Sequence, residues 1–292
     1  MNPLIEQTLI ALSKGGIYAN LALALVMTYK SSGQVNFAQG EMATVATFIA
    51  WSLAQAGLPL WLAIALAVVC AGAMGLVLER VVIRPFRRQP VAIMVTVSVG
   101  LFIALNSLSG WLWSYEARPF ASPFPDRAVE LGGVMVRWHA LGAMAVSTFM
   151  LLAMFAFFRW TKLGLAMRGA AANDASARLL GIHVDRMIGL GWATAAMVGA
   201  VAGIMMAPFT FLDPHMMSGP LIFFFAAALL GGISSPLGAV AGGYAVGLLE
   251  LAVVQFVPKG NELRTTLAMA LIVAVLLLRP QGLFGARVVH RV

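Results

Sequence analysis

The chain has 292 residues, of which 61% are hydrophobic and only 10% charged, and its mean hydropathy is +0.91. This composition excludes a pair of soluble domains and points to a single polytopic membrane domain over 1–292. The net charge of +8 and pI of about 10.4 do not indicate nucleic acid, because the Lys and Arg residues are dispersed between apolar runs rather than gathered on one soluble face.

A span needs roughly 20 mostly apolar residues to cross the hydrocarbon. Such windows recur at 8–30, 38–56, 59–81, 91–113, 139–159, 187–212, 219–235, 237–257 and 263–280. They predict an all-α bundle of eight or nine transmembrane or re-entrant segments. The opening MNPLIEQTLIALSKGG has no basic n-region or small-residue cleavage site, so insertion is expected to rely on the first spans. Segments 38–56 and 219–235 are short and flanked by Gly or Pro, which marks them as candidates for broken or re-entrant helices.

Between the first two runs, SSGQVNFAQGEM (31–42) groups Gln34, Asn36, Gln39 and Glu41 around Gly33 and Gly40. Two readings stay open. One is a bent element on a translocation pathway. The other is a cytoplasmic turn followed by an N-capped helix with Glu41 in its first turn, where the helix dipole favours a carboxylate.

Further along, the lone Cys70 in AVVCAGAMG cannot form an intramolecular disulfide and is expected as a small buried hydrophobe. Asn106 is expected to donate an interhelical hydrogen bond. Trp111, Trp113, Tyr115 and Trp138 bracket an external 114–138 loop, as suits aromatics at headgroup depth. Inside that loop AVELGGVMVRW alternates about Gly132-Gly133, a hairpin signal.

The one long polar interruption is KLGLAMRGAAANDASARLLGIHVDR (162–186). A short helix is predicted over 163–171. Asn173 can cap a second one with Asp174 in its first turn, and Gly181 is placed to end it. Asp174 and Arg178 stand four apart in the favourable order, and Leu179, Leu180 and Ile182 gather at the far end. A helix of about two turns is marginal alone and needs a partner surface.

GAVAG occurs at Gly199–Gly203 and again at Gly238–Gly242, followed by Gly243 and Gly247, a spacing that lets helix backbones approach closely in lipid. GGISSP (231–236) reads as a turn. Glu250, inside YAVGLLELAVVQF, must face the bundle interior, pair with a cation or stay protonated. Pairing and a transport role are both open for it. A faint echo joins the halves: Pro59-Leu60 and GLVLE (75–79) recur as Pro236-Leu237 and GLLE (247–250), too loosely to establish a repeat.

Sorting Lys and Arg onto alternate sides of these spans tests the scheme. One side takes Lys30, Arg80, Arg84, Arg87, Arg88, Arg159, Lys162, Arg168, Arg178, Arg186, Arg279, Arg287 and Arg291; the other takes Lys14, Arg118, Arg127, Arg137, Lys259 and Arg264. The richer side is expected to be cytoplasmic, which puts the 162–186 region and the C-terminus inside and the N-terminus outside.

None of Lys14, Lys30, Lys162 and Lys259 lies in a P-loop context, so no ATPase site is recognisable. His139, His183, His215 and His290 form no metal-ligand spacing, and no GxSxG elbow is present. No catalytic, cofactor-binding or metal-binding residue is therefore expected.

Taken together, GQVNFAQGEM (33–42), GLAMRGAAANDASARLLGIHVDR (164–186), GPLIFFFAAALLGGISSPLGAVAGG (219–243) and RPQGLFG (279–285) resemble the permease subunit of branched-chain amino acid ABC transporters, the LivH family. The resemblance covers nearly the whole chain. It implies an importer of leucine, isoleucine, valine or related small amino acids and amides in the bacterial inner membrane. It also implies two ATP-binding subunits in trans, a second, LivM-like permease and a periplasmic or extracellular solute-binding protein. In such a permease 164–186 would be the cytoplasmic coupling region, which implicates Arg168, Ala172, Asn173, Ala177 and Gly181. The family often has His where Gln39 stands and Val where Ala171 stands. Gln39 cannot titrate, which argues against proton coupling there. A stand-alone ion-coupled transporter or channel using Glu41 and Glu250 is the alternative. An intramembrane enzyme is disfavoured by the missing constellations.

Overall fold

The computed structural model describes residues 3–87, 89–131, 134–279 and 281–285. Eleven helices and one small hairpin occur among them. They run α1 (Pro3–Ser32), α2 (Gln39–Gln55), α3 (Leu60–Leu78), α4 (Val91–Trp113), β1 (Ala128–Leu131), β2 (Val134–Arg137), α5 (Trp138–Trp160), α6 (Lys162–Ala172), α7 (Asp174–Leu179), α8 (Val184–Met206), α9 (Ser218–Gly231), α10 (Pro236–Phe256) and α11 (Gly260–Leu278). Seven of these, α1, α3, α4, α5, α8, α10 and α11, are long and apolar enough to cross a bilayer. The other two apolar helices are the short ones: α2 has 17 residues and α9 has 14, about 26 and 21 Å of rise.

The apolar windows located every segment, and the largest boundary correction falls at the end of α8. The run expected to continue to 212 stops as an α-helix at Met206, where Pro208 sits in a 3-10 turn over Ala207–Phe209. Proline has no N–H to give the preceding turn, so the helix ends there. The chain then loops back through 210–217 before α9.

The long helices define two ends. The β hairpin, the start of α1 and the end of α4 lie at one; α6, α7, the turn after α3 and the end of α1 lie at the other. β1 and β2 pair antiparallel, with Leu131 opposite Val134. The expected Gly132-Gly133 turn itself lies outside the described residues, as do Arg88, Arg287, His290 and Arg291. Apart from those residues, the two charge groups separate as sorted, with the richer group at the α6–α7 end. At the hairpin end Trp111, Tyr115 and Trp138 are exposed, while Trp113 turns inward, stacks on Phe48 and donates to the Ser52 hydroxyl at 2.7 Å.

The faint sequence echo has a structural counterpart. α8 packs along α3 with Gly72 and Gly75 against Ala193 and Trp192; α1 packs along α10 with Gly243 and Gly247 against Ala19 and Gly15. α1 and α8 run antiparallel to each other, since Ser31 meets Gly191 while Leu23 and Ala24 lie among Ala195 and Val198. Four helices, α1–α4, are thus repeated upside down in α8–α11. Gly75 and Gly247, from the echoing GLVLE and GLLE, hold equivalent positions on the opposing half.

In each half the second helix is the short one, and the two short helices point their N-termini towards each other. A Cβ on Gly40 would lie 3.2 Å from the Met217 Cβ and 3.5 Å from Leu221. Around this junction α1, α2, α8 and α9 supply most of the fully buried side chains, among them Leu21, Leu25, Phe48, Trp192, Ile204 and Phe224. α3, α4, α5 and α11 form an outer layer with many exposed apolar residues.

Cys70 belongs to that layer. Expected to be buried, it is exposed on α3, because in a membrane an apolar side chain gains as much from lipid as from protein.

Beyond α11, Leu283 and Phe284 donate backbone hydrogen bonds to the Leu230 and Gly231 carbonyls at 2.8 and 3.1 Å. The RPQGLFG tail thereby satisfies carbonyls that the end of α9 leaves open. The GGISSP turn starts α10, with the Ser235 hydroxyl accepting from the Gly238 N–H at 3.0 Å.

Candidate functional site

Two regions gather the residues singled out from sequence. The first is the junction of the short helices. Residues 33–38 are non-helical and re-enter the bundle. Ser98 of α4 holds them by accepting from the Phe37 N–H at 2.8 Å and donating to the Val35 carbonyl at 3.4 Å. Asn36 accepts from the Ala38 N–H at 3.0 Å and donates to Gln39 Oε1 at 3.3 Å. Gln39 in turn donates to the Ala195 carbonyl of α8 at 3.2 Å. The geometry of both readings of 31–42 is present: a turn precedes a helix with Glu41 in its first turn, although Ala38 at its N-cap offers no side-chain cap, and the element is bent into the bundle.

Glu41 is fully buried, and its Oε2 accepts from Asn106 Nδ2 of α4 at 3.2 Å. The same amide nitrogen lies 2.7 Å from the Pro214 carbonyl and 3.3 Å from His215 Nδ1. Asp213 accepts from the His215 N–H at 2.6 Å and shapes this loop. Asn106 is an interhelical donor as expected, but it joins α4 to α2 and to the loop before α9. Sequence reasoning missed the loop because its apolar run was carried through to 212; Pro208 and the polar Asp213 and His215 flanking Pro214 were the available signal.

Glu250 is not part of this junction. It lies towards the hairpin end, buried between α1, α10 and α11. There it accepts from the Tyr18 hydroxyl at 2.8 Å and faces Arg264 at 3.5 Å and Lys14 at 4.0 Å. This is the pairing that a carboxylate within a span requires. Glu250→Gln is expected to lower the detergent melting temperature, costing about 1–3 kcal/mol for charge-assisted hydrogen bonds, while uptake per folded transporter stays near wild type. Loss of uptake at unchanged stability would assign Glu250 to transport instead.

The second region is the α6–α7 knob. Thr161 caps α6 by accepting from the Gly164 N–H at 2.9 Å, and Asn173 caps α7 by accepting from the Ser176 N–H at 2.9 Å. At the far end Gly181 takes a φ of 78°. Its N–H bonds the Arg178 carbonyl and that of Ile182 bonds Ala177, both at 3.0 Å, which is a Schellman ending that favours glycine. The predicted Asp174–Arg178 pair forms at 2.7 Å.

Of the five residues tied to coupling, Arg168, Ala172, Asn173 and Gly181 are exposed. Ala177 is 2% exposed and seats α7 on the bundle, so direct contact with another protein is closed to it. Arg168 also borders an apolar groove of about 530 Å³ with Lys30 and Arg159. The outward surface carries two leucines instead: Leu179 and Leu180 are 89% and 80% exposed.

An ion chain anchors the knob. Arg178 reaches Asp185 at 3.4 Å, Arg87 reaches Asp185 at 2.5 Å and Glu79 at 4.0 Å, and Arg84 pairs with Glu79 at 3.0 Å. Glu79 is 1% exposed. The chain thus ties α7 to α8 and to the end of α3.

Comparison with known proteins yields one family. The family model described as branched-chain amino acid transport system / permease component matches residues 7–277. The chain is 29% identical to the high-affinity branched-chain amino acid transport system permease protein LivH of Escherichia coli, over 99% of this chain and 97% of that protein. It is also 29% identical to the corresponding permease protein BraD of Pseudomonas aeruginosa, over 99% and 98%. To the probable branched-chain amino acid transport permease protein LivH of Methanocaldococcus jannaschii it is 26% identical, over 92% and 90%.

Proposed function

This chain belongs to the family of branched-chain amino acid transport system permease components, and on that premise we propose that it forms one half of the membrane pore of an ATP-driven importer. The cargo is leucine, isoleucine, valine or a related small amino acid or amide. The other half of the pore is a second, LivM-like permease. A solute-binding protein delivers cargo at the hairpin end, and two ATP-binding subunits dock at the other. ATP is bound by those subunits, and this chain needs no cofactor of its own. The basic end is cytoplasmic, as the excess of Lys and Arg there argues, in the inner membrane of a bacterial cell.

The observation that carries this reading is the capped α6–α7 knob, with two exposed leucines and an ion chain leading from it into α3 and α8. Movement imposed on α7 reaches α8 through Asp185 and Arg178. α8 holds Gln39 at the start of α2 through the Ala195 carbonyl. A push from an ATPase would therefore arrive at the junction of the short helices, where a change of packing alternates access. A packed core shifts between discrete arrangements rather than deforming continuously, which suits such a switch. The separation of Glu250 from Glu41, and its pairing with cations, weakens the ion-coupled alternative that relied on both.

Arg168→Glu and Gly181→Glu test the docking. Each is expected to reduce ATP-dependent uptake and ATPase co-purification together, Gly181→Glu also by straining the positive φ that ends α7. Unchanged values of both quantities in both variants would refute the coupling role.

A further inference from the structure

We propose that the junction of α2 and α9 is where the ammonium group of the cargo is held in passage, with Glu41 Oε1 as its acceptor, an inference that rests on the permease reading above. A count of hydrogen-bond valences points there. Glu41 is fully buried, its Oε2 is served by Asn106, and its Oε1 has no partner. The Asn106 amide nitrogen has two hydrogens, and its two directed acceptors, Glu41 Oε2 at 3.2 Å and the Pro214 carbonyl at 2.7 Å, take both. The cluster therefore has no donor left for Glu41 Oε1. Among the described residues no Lys or Arg pairs with Glu41.

A carboxylate oxygen without a donor is expensive within a membrane, and a ligand that brings donors and positive charge removes the deficit. A primary ammonium brings three N–H groups and one charge. The Asn106 amide then acts as a stand-in donor when the site is empty and as a positioning residue when it is filled.

The side chains beside Glu41 are less buried than it is. Asn106 is half-buried, and His215, Ser218 and Gly219 are exposed beside it. A Cβ on Gly219 would meet nothing within 4 Å. Ser218 and Gly219 begin α9, whose N-terminal dipole end favours an anion. A zwitterion laid across the junction would put its ammonium on Glu41 and its carboxylate towards α9. Discontinuous helices meeting in mid-membrane between inverted repeats hold substrate in this manner in other transporter folds.

The test uses the complete transporter, with both permeases and both ATPases, without its binding protein. Radiolabelled leucine is bound and competed with leucine methyl ester, which keeps the ammonium, and with 4-methyl-2-oxopentanoate, which lacks it. The ester, which gives up only the carboxylate favoured by the α9 end, is expected to compete more weakly than leucine but better than the keto acid, and the keto acid at least about tenfold more weakly than leucine, because a site built for N–H donors rejects the analogue lacking them. Equal competition by the keto acid would overturn ammonium recognition whatever any variant does. With the binding protein added, Glu41→Gln is expected to lower leucine uptake per ATP hydrolysed at least about tenfold, with Glu41→Asp retaining a larger share. Uptake by Glu41→Gln within twofold of a working wild type would overturn this inference alone. A wild-type assembly that takes up none of leucine, isoleucine, valine or related small amino acids and amides would overturn the permease reading and this inference with it.

Discussion

Replacing Leu179 and Leu180 together by aspartate is expected to strip the ATP-binding subunits from the purified transporter and to abolish ATP-dependent uptake, while the chain itself melts as before. Both side chains stand almost wholly clear of the bundle at the end of α7, so their removal costs the isolated fold little. Burying a leucine against a partner is worth about 1.5–3 kcal/mol, so the pair represents about 3–6 kcal/mol of association. That is two to four powers of ten in affinity, and aspartates pressed into the same contact would add a desolvation penalty. The effect should exceed that of Arg168→Glu, since a rim charge contributes mainly to association rate. Affinity-tagged ATPases pulled down from detergent extract, followed by uptake in proteoliposomes, measure both quantities. Retention of the ATPases by a stable double variant would mean that these leucines dip into the headgroup layer and that the docking face lies elsewhere on the knob.

The knob was legible from sequence because its determinants are local. A capping Asn173, the Asp174–Arg178 spacing and a closing Gly181 each act within one turn, and all three appear as read. The junction was only half legible. Polar residues at 34–41 marked a break, and two unusually short apolar runs marked α2 and α9, but nothing in either run says that their N-termini meet. That meeting is set by α1 and α8 crossing antiparallel, a consequence of packing across a separation of about 160 residues. Cys70 failed for a related reason, and the burial of Ala177, which resemblance rather than pattern had tied to coupling, has a packing cause as well. Apolar character predicts burial only where water is the alternative; α3 has lipid as its alternative, and α7 needs one small residue under it to sit on the bundle at all. Glu250 resisted because its partners, Tyr18, Lys14 and Arg264, come from helices at opposite ends of the chain.

Gly243→Leu is expected to be the most destabilising of these substitutions, preventing the two halves from closing. α1 and α10 touch backbone to backbone. A Cβ at Gly243 would overlap the Ala19 backbone, and one at Gly247 would lie 2.6 Å from Gly15 Cα and 2.8 Å from the Ala11 carbonyl. No rotamer change relieves such a clash, because the obstacle is main chain. The helices would have to separate, and with them the other close contacts of the α1–α10 seam. Overpacking a core typically costs about 1–3 kcal/mol when side chains can adjust, and a backbone obstacle places Gly243→Leu above that range. Hydrophobicity offers no compensation, because lipid is as apolar as leucine and helix association here depends on close fit. Gly100→Ala is the control. It lies on α4, where an added Cβ would meet nothing within 4 Å, and alanine in a helix interior is favoured over glycine by about 1 kcal/mol. Its melting temperature in detergent should equal or exceed that of wild type, while Gly243→Leu aggregates or melts far lower. Equal melting of Gly243→Leu and wild type would mean that α1 and α10 do not close on each other in this way, and the inverted arrangement of the two halves would lose its seam.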